Sequence, residues 1–489
     1  MHIPTLRDVS RDVSASFVVF LVAMPLCMGI AIASGVPPER GLLTGVIGGI
    51  VVGLLSGAPL QVSGPAAGLV VMVYDLVQTH GLSALGPVLV LAGIIQCAAG
   101  LLRLGQWFRA ISPAVVHGML AGIGVLIVAG QIHVLMDNKP LASGLDNIMA
   151  AGPALFGLLP LDGSGEEPAL AVGLLTIGAM LGWERWRPKA LKLIPGALAG
   201  VAAGTILAQA ATLKVALVTV PDRLLDAVAL PQQGFLADLI RPEFLLAALA
   251  LALVASAETL LSASAIDRMQ SRVRTRYDKE LFAQGVGNAV SGALGGLPMT
   301  GVIVRSSANV QAGATSRMST ILHGLLILAF VGLGSEVLEL VPMAALAGVL
   351  VVTGWRLVSL RHVRALFSEF GAVPVAIWAI TCAVVVATDL LTGVLAGIAL
   401  SVLESLPLFR RPGFRIRRHD TDTATELKLV GTGTFVRLPH LLSTLESVPQ
   451  DRDVRIRTRG LHRTDHTFAA ALHDFIHSGS ASGRRIEIG

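Results

Sequence analysis

Two segments interrupted by glycine and proline are the places where residue types and spacing in this sequence point to chemistry. They are residues 61–68, QVSGPAAG, and residues 295–301, GGLPMTG. The apolar stretches that contain or follow them, 64–77 and 302–313, are too short to cross about 30 Å of hydrocarbon as helices. A helix that begins inside a membrane exposes unpaired N–H groups and the positive end of its dipole. Two such helix starts facing each other predict an anion site made largely of backbone.

Small residues surround both predicted helix starts and are expected to let an anion reach the N–H groups. Ser63 and Thr300 each precede a glycine, and their hydroxyls are predicted to cap the two helices and to face the anion. The alternative is a pair of tight turns that bind nothing. The predicted substrate-binding residues are Ser63, Gly64, Pro65, Ala66, Ala67, Thr300, Gly301, Val302, Arg305 and Ser306.

Arg305 lies about one turn inside the second short segment. A fixed charge in the membrane costs at least ~2.5–3.5 kcal/mol even on insertion scales, so this arginine is predicted to attract an anion at the adjacent helix start. The alternative is a structural arginine that pairs with a carboxylate or carbonyl, or whose side chain extends to the membrane surface.

Glu258 and Ser262 lie one helical turn apart in another apolar stretch. A carboxylate there can take up a proton, and with the hydroxyl it can bind a small cation, so the pair is predicted to couple transport to H+ or Na+. The alternative is a structural ion pair between Glu258 and Arg305. No GxSxG, HExxH or P-loop pattern occurs, so we expect no enzyme and no ATP-driven transport. The tail contains two i,i+4 histidine pairs, a spacing that can bind metal, but no cysteine supports them, so we expect no metal site and no cofactor beyond a coupling ion; these histidines are His462, His466, His473 and His477.

Composition limits the class of protein. Of the 489 residues 53% are hydrophobic and only 14% are charged, whereas a soluble domain carries about 25% charge. The 53 glycines and 4% aromatic residues suit closely packed membrane helices. These values exclude an ordinary soluble enzyme and a nucleic-acid binder, and they predict an all-α polytopic membrane protein in contact with a lipid bilayer.

The chain divides into two similar sets of apolar segments, each with a short third member. Because each set contains seven spans, the second must be inserted upside down, which predicts a 7+7 inverted repeat over about 14–211 and 244–409. The fourteen predicted spans lie near 14–34, 41–57, 64–77, 86–102, 113–135, 168–183, 193–211, 244–264, 281–295, 302–313, 320–334, 342–354, 371–388 and 392–409.

Charge in the loops predicts the orientation. With the amino terminus inside, the inside loops carry fifteen Lys or Arg residues and the outside loops carry five. This bias predicts a multi-pass protein of the inner membrane with both termini in the cytoplasm.

The last 80 residues differ from the rest, because residues 410–489 hold 23 of the 69 charged residues. We expect a membrane domain over 1–409, a basic linker over 410–425 that anchors the topology, and a small α/β module over 426–489. Strands are predicted near 426–430, 453–458 and 485–488. Helices are predicted near 438–447 and 466–478, the second capped by Asp465.

The sequence resembles the SulP family of anion transporters over essentially its whole length. The resemblance rests on Pro25, Ser63-Gly64-Pro65, Glu258, the stretch 280–288 (ELFAQGVGN), and the segments around 295–306. Residues 461–468 are similar to the strand–turn–helix of a STAS domain, although the module ends at Gly489, short of a usual STAS domain.

The resemblance implies a core domain of spans one to four and eight to eleven, a gate domain of the other spans, and elevator-like movement of an anion. It also implies a homodimer and places the candidate residues listed above around the anion. We therefore expect a secondary active transporter of bicarbonate or sulfate. The alternatives are a dicarboxylate or nucleobase carrier of the same fold, or an anion channel; a nucleobase carrier would need a carboxylate in span ten, where this chain has Arg305.

Overall fold

The computed structural model shows a helical protein with a small sheet near its carboxyl end. About 73% of the chain is helical. The structure describes residues 6–105, 112–141, 144–157, 166–188, 191, 194–218, 228–231, 234–270, 273, 275–409, 414–421, 424–448, 453–481 and 486–488.

Each of the fourteen predicted spans contains a helix. Six described helices are long and apolar enough to cross a membrane, and several shorter apolar helices accompany them. The helices that match the predicted spans are α1 Leu6–Ala33, α2 Pro38–Leu55, α3 Val70–His80, α4 Leu85–Leu101, α5 Pro113–Val134, α7 Glu167–Trp186, α8 Gly196–Ala210, α9 Pro242–Met269, α10 Tyr277–Leu294, α11 Ile303–Gln311, α12 Met318–Leu338, α13 Met343–Leu357, α15 Ala372–Ala387 and α16 Leu390–Phe409.

Three further described helices occupy stretches that the hydropathy pattern assigned to loops, and one of them is the four-residue helix Phe235–Asp238. Helix α6, Gly144–Gly157, lies in the predicted outer loop after α5. Helix α14, Leu360–Phe370, lies in a predicted inner loop and is amphipathic, with Leu366 buried and Arg361 and Arg364 exposed. A search for continuous apolar spans does not detect such helices, because they need not cross the bilayer.

The chain forms two compact units, each made of two stretches of sequence. One unit contains residues up to Leu102 together with Ile123–Val358. The other contains Arg103–Gly122 together with Ser359–Gly489, so α7, α8 and α13 belong to the first unit.

Glycine allows the helices of the first unit to approach closely. A Cβ on Gly93 of α4 would lie 2.5 Å from the Ala289 nitrogen and the Gly285 oxygen of α10. The contact is reciprocal, because a Cβ on Gly285 would lie 2.5 Å from the Cys97 nitrogen of α4. Backbone-to-backbone packing of this kind favours small residues at membrane helix interfaces.

The last unit contains the α/β module that the sequence predicts. Its four-stranded sheet has the order β3-β4-β5-β6, from β3 Arg415–Asp420, β4 Ala424–Gly433, β5 Asp453–Thr464 and β6 Ile486–Ile488. Strand β3 runs antiparallel to β4 and the other neighbours are parallel. The prediction of a linker over 410–425 is therefore wrong for 415–420, which form an edge strand. Residues 410–413 of that linker lie outside the described residues.

Helices α17, Leu438–Glu446, and α18, His466–Ala481, complete the module. The predicted cap of α18 is confirmed, because the Phe468 N–H donates to Asp465 Oδ1 at 2.8 Å. Burial raises the pKa of Asp465, while the N–H groups of Phe468 and Phe435 oppose that shift by hydrogen bonding to the charged form.

Replacement of Gly93 by alanine is expected to destabilise the protein by about 1–3 kcal/mol, because the new methyl group meets backbone that cannot move aside. Gly178→Ala is the matched control, since nothing lies within 4 Å of a Cβ at that position. Thermal unfolding in detergent measures the difference. Equal stability of the two variants would contradict the close packing of α4 and α10.

Candidate functional site

The two interrupted segments meet as a short pair of antiparallel strands. Strand β1, Ser63–Pro65, pairs with β2, Met299–Gly301, with Gly64 opposite Thr300 at the centre. The pairing extends beyond the strands, because the Val302 N–H donates to the Val62 carbonyl at 2.9 Å. Extended backbone inside a membrane protein must find partners within the protein, and each segment supplies them for the other.

Both short helices begin directly after this strand pair. A 3-10 turn from Ala67 leads into α3, and α11 begins at Ile303. The N-cap positions of the turn and of α11 are occupied by Ala66 and Val302, and no side chain caps either start. The prediction that Ser63 and Thr300 cap these helices is therefore wrong, because both lie inside the strands. The described helix starts have no side-chain cap, and such N–H groups are suited to bind an anion.

Arg305 is the buried cation beside the strand pair. It is 0% exposed, and its Nε, Nη1 and Nη2 atoms have no hydrogen-bond partner among the described residues. A Cβ on Gly64 would lie 2.1 Å from Arg305 Nη1, so the guanidinium lies against the β1 backbone where only glycine fits. The Cys27 thiol is a polar neighbour and a weak acceptor.

Glu258 lies against the other helix start. A Cβ on Gly68 would lie 1.7 Å from its Oε1 atom, so this glycine also makes room for a charged group. The Thr300 hydroxyl is a hydrogen-bond partner of the Glu258 carboxylate. The Oε2 atom of Glu258 is buried without a partner among the described residues. Ser262 is 4% exposed, one turn further along α9. No salt bridge joins Glu258 to Arg305 in the described part of the chain, so the structural ion pair considered from the sequence is not formed.

The remaining predicted residues hold the segments in place. The Ser306 hydroxyl accepts from the Val62 N–H at 2.9 Å and donates to the Val302 carbonyl at 2.7 Å. The Gly301 N–H donates to Thr259 Oγ1 at 3.2 Å, which links β2 to α9 next to Glu258. Pro65 and Ala66 are buried, and Ala67 is partly exposed at the start of the turn.

A polar stripe on α10 supports both broken segments, and in the sequence these residues contribute only to the family resemblance. Glu280, Gln284 and Asn288 are each 0% exposed and follow one another by four residues, so they share one helix face. Glu280 Oε2 accepts from the N–H groups of Gly57 and Ala58 at 2.8 and 2.9 Å.

The other two residues of the stripe reach the strands themselves. Gln284 donates to Ser63 Oγ at 2.5 Å, and Asn288 both donates to the Met299 carbonyl and accepts from the Met299 N–H. Three polar residues at this spacing in an apolar span are a signal in the sequence that would have identified the support.

Comparison with known proteins assigns the class. A helical membrane protein with paired broken segments and an uncompensated buried arginine belongs among the carriers rather than the enzymes. A model of the sulfate permease family matches residues 9–381. The chain therefore belongs to the sulfate permease family, whose members are membrane transporters.

Individual relatives agree with this membership. The chain is 31% identical over 439 residues to a putative sulfate transporter, YvdB, of Bacillus subtilis. The matched region covers 86% of this chain and 77% of that protein. It is 25% identical over 362 residues to the bicarbonate transporter BicA of Picosynechococcus, and the match spans 61% of that protein's length.

Solved structures support the fold. The transmembrane domain of a cyanobacterial BicA matches with a TM-score of 0.67 and 24% identity, over 80% of this chain and 98% of that one. The structure of SLC26A9 matches with a TM-score of 0.71 and 15% identity, over 99% of this chain and 84% of that one.

Replacement of Asn288 by leucine is expected to leave the Met299 N–H and carbonyl without partners, at a cost of about 2 kcal/mol or more. Asn138→Leu, at an exposed amide, is the control. Thermal unfolding in detergent should show a lower transition for the first variant only. A wild-type transition for Asn288→Leu would show that α10 does not hold β2.

Proposed function

We propose that this protein is a secondary active transporter of small inorganic anions, with bicarbonate or sulfate as the substrate. Membership of the sulfate permease family supports anion transport in general. The choice of these two anions follows the relatives, one named as a putative sulfate transporter and one as a bicarbonate transporter.

The observation that carries the proposal is the state of Arg305. Among the described residues no carboxylate pairs with this fully buried guanidinium, and the Cys27 thiol beside it is only a weak acceptor. An unpaired buried charge is costly, so it is maintained where a ligand of opposite charge can compensate it. The α3 and α11 helix starts add the positive ends of two dipoles to the same region.

Glu258 is proposed to couple anion movement to a proton or sodium gradient. Its carboxylate lies against Gly68, at the helix start opposite the one that carries Arg305, and is not neutralised by it. Binding of H+ or Na+ at Glu258, with Ser262 one turn away, would offset the negative charge that the anion brings. The two sites would then load together, which is the requirement for symport.

The proposed cycle moves the anion with the elements that hold it. Strands β1 and β2, helices α3 and α11, and their support α10 are linked by hydrogen bonds and would travel as one body, as in an elevator. We further propose a homodimer in the inner membrane with both termini in the cytoplasm, as loop charge and family resemblance indicate.

The direct test is uptake of radiolabelled sulfate and bicarbonate by liposomes that contain the purified protein, with imposed proton or sodium gradients. Accumulation above the external concentration is expected for one anion with one gradient. Flux that only follows the anion's own gradient would contradict secondary active transport and would indicate a channel.

Replacement of Arg305 by alanine is expected to raise the half-saturating anion concentration roughly 10- to 100-fold, because a charge-assisted contact is lost. Arg364→Ala, at an exposed arginine of α14, is the control and should transport normally. Initial uptake rates over a range of anion concentrations measure the change. An unaltered half-saturating concentration in folded Arg305→Ala protein would exclude Arg305 from the site.

Replacement of Glu258 by glutamine is expected to abolish gradient-driven accumulation while preserving exchange of internal for external anion, because only the coupling charge is removed. Counterflow and gradient-driven uptake in the same vesicles separate the two activities. Retained accumulation would exclude Glu258 as the coupling residue.

A further inference from the structure

A cavity extends from the start of α3 to the chain segment that follows α5. Its walls include Val70 and Tyr74 of α3 and Leu126, Gly130 and Gln131 of α5. Val70 is the first residue of α3 and directly follows the turn Ala67–Leu69, which contains the candidate residue Ala67. Pro140 and Leu141 line it at the other end.

Two contacts hold Pro140 and Leu141 over this cavity. The Tyr74 hydroxyl of α3 donates to the Pro140 carbonyl at 2.9 Å. The Asn147 side chain of α6 accepts from the Leu141 N–H and donates to the Leu141 carbonyl, each at 2.8 Å. Residues 140–141, here termed the strap, are therefore fixed both to the short helix α3 and to α6.

The packing around the strap is specific. A Cβ on Gly144 would lie 2.2 Å from Leu126 Cδ2, so a larger residue at the start of α6 would require the Leu126 side chain of α5 to move. The Tyr74 ring lies against Gly35, whose φ of +69° also favours glycine and whose added Cβ would lie 3.1 Å from the ring.

The cavity wall contains one polar atom that nothing satisfies. Gln131 is 3% exposed, and its Oε1 atom has no hydrogen-bond partner among the described residues. A buried, unpaired acceptor beside an otherwise largely aliphatic wall is unfavourable in a permanently closed cavity. The Gln131 Oε1 atom can accept a hydrogen bond when water or a hydrated solute enters the cavity. The wall is therefore suited to a passage that opens.

We propose that the strap is the gate on the external side of the anion path, and that Tyr74 is the positioning residue that keeps it closed. This inference rests on the proposed function, since it assigns the route by which the same site meets the outside. When α3 moves with the anion, Tyr74 leaves Pro140, and the cavity joins the site to the external solution. Asn147 keeps the strap attached to α6 during that movement.

Thiol labelling tests the gate without any anion flux. The three native cysteines, Cys27, Cys97 and Cys382, are replaced by alanine, and Gly130→Cys supplies a reporter in the cavity wall. Position 130 has room for the new Cβ atom, because that atom would lie 3.7 Å from Pro140 Cβ, an ordinary contact distance. A membrane-impermeant methanethiosulfonate reagent is then added to the predicted external face of oriented vesicles.

Tyr74→Phe removes only the hydroxyl that holds the strap. Loss of one neutral hydrogen bond should raise the labelling rate roughly two- to tenfold. The matched control is Tyr277→Phe, which removes the chain's other tyrosine hydroxyl, bound to Asp267 at 3.0 Å. An unchanged labelling rate in Tyr74→Phe, or an equal rise in both variants, would overturn the proposal.

Hydrogen exchange provides a second measurement that needs no introduced cysteine. Asn147→Ala is expected to speed exchange of the Leu141 amide at least tenfold, because that N–H loses its acceptor, while Tyr277→Phe leaves it unchanged. Slow exchange of Leu141 in Asn147→Ala would show that the strap is held by other contacts. Neither result depends on which anion is carried, so failure of the gate and failure of the proposed transport remain distinguishable.

Discussion

The constraint on which this structure depends is that backbone polar groups away from water must find partners inside the protein. The chain leaves helical geometry twice within its apolar region, at β1 and at β2. Each departure exposes N–H and carbonyl groups, and the pairing of the two strands satisfies them together. The position of the site follows from this pairing, because both short helices start where the strands end. The polar stripe of α10 then fixes the pair through Ser63 and Met299.

Charge is distributed around the strand pair without internal neutralisation. Arg305 packs against Gly64, and Glu258 packs against Gly68. A buried arginine and glutamate in direct contact would neutralise each other and leave little attraction for a ligand. Here the two charged side chains form no salt bridge with each other, and under the proposed function each would be compensated by a ligand of opposite charge. The glycines are what make this arrangement possible, since a methyl group at either position would displace a charged side chain.

The sequence was sufficient to predict the apolar helices and the two places where the chain breaks between them. Long apolar stretches and the paired Gly/Pro interruptions carry strong signals, and so does an arginine in an apolar span. The strand pairing was not predicted, because the hydrogen bonds of β1 and β2 join residues more than 200 positions apart and neither strand exceeds three residues. The prediction that Ser63 and Thr300 cap the short helices was wrong for the same reason, because both residues belong to the unpredicted strands.

Elements that lack a continuous apolar stretch were also missed. Helix α6 has only 14 residues with Pro153 inside it, and α14 is amphipathic, so hydropathy placed both in loops. Strand β3 is so basic that it resembled a linker, although an edge strand tolerates charge on its exposed face. In contrast, the alternation in β5 and the capping residue Asp465 are local signals, and both led to correct elements.

The register of β1 and β2 has a consequence for the direction of transport. An antiparallel pair centred on Gly64 and Thr300 has an approximate twofold axis that maps each residue of the first segment onto one in the second. That axis carries Arg305 onto Leu69, a buried leucine with no charge. The backbone of the pair is thus approximately symmetric, and the single guanidinium breaks the symmetry. In the proposed transport cycle an anion at the axis would therefore meet a polarised environment, and the two half-cycles need not have equal barriers.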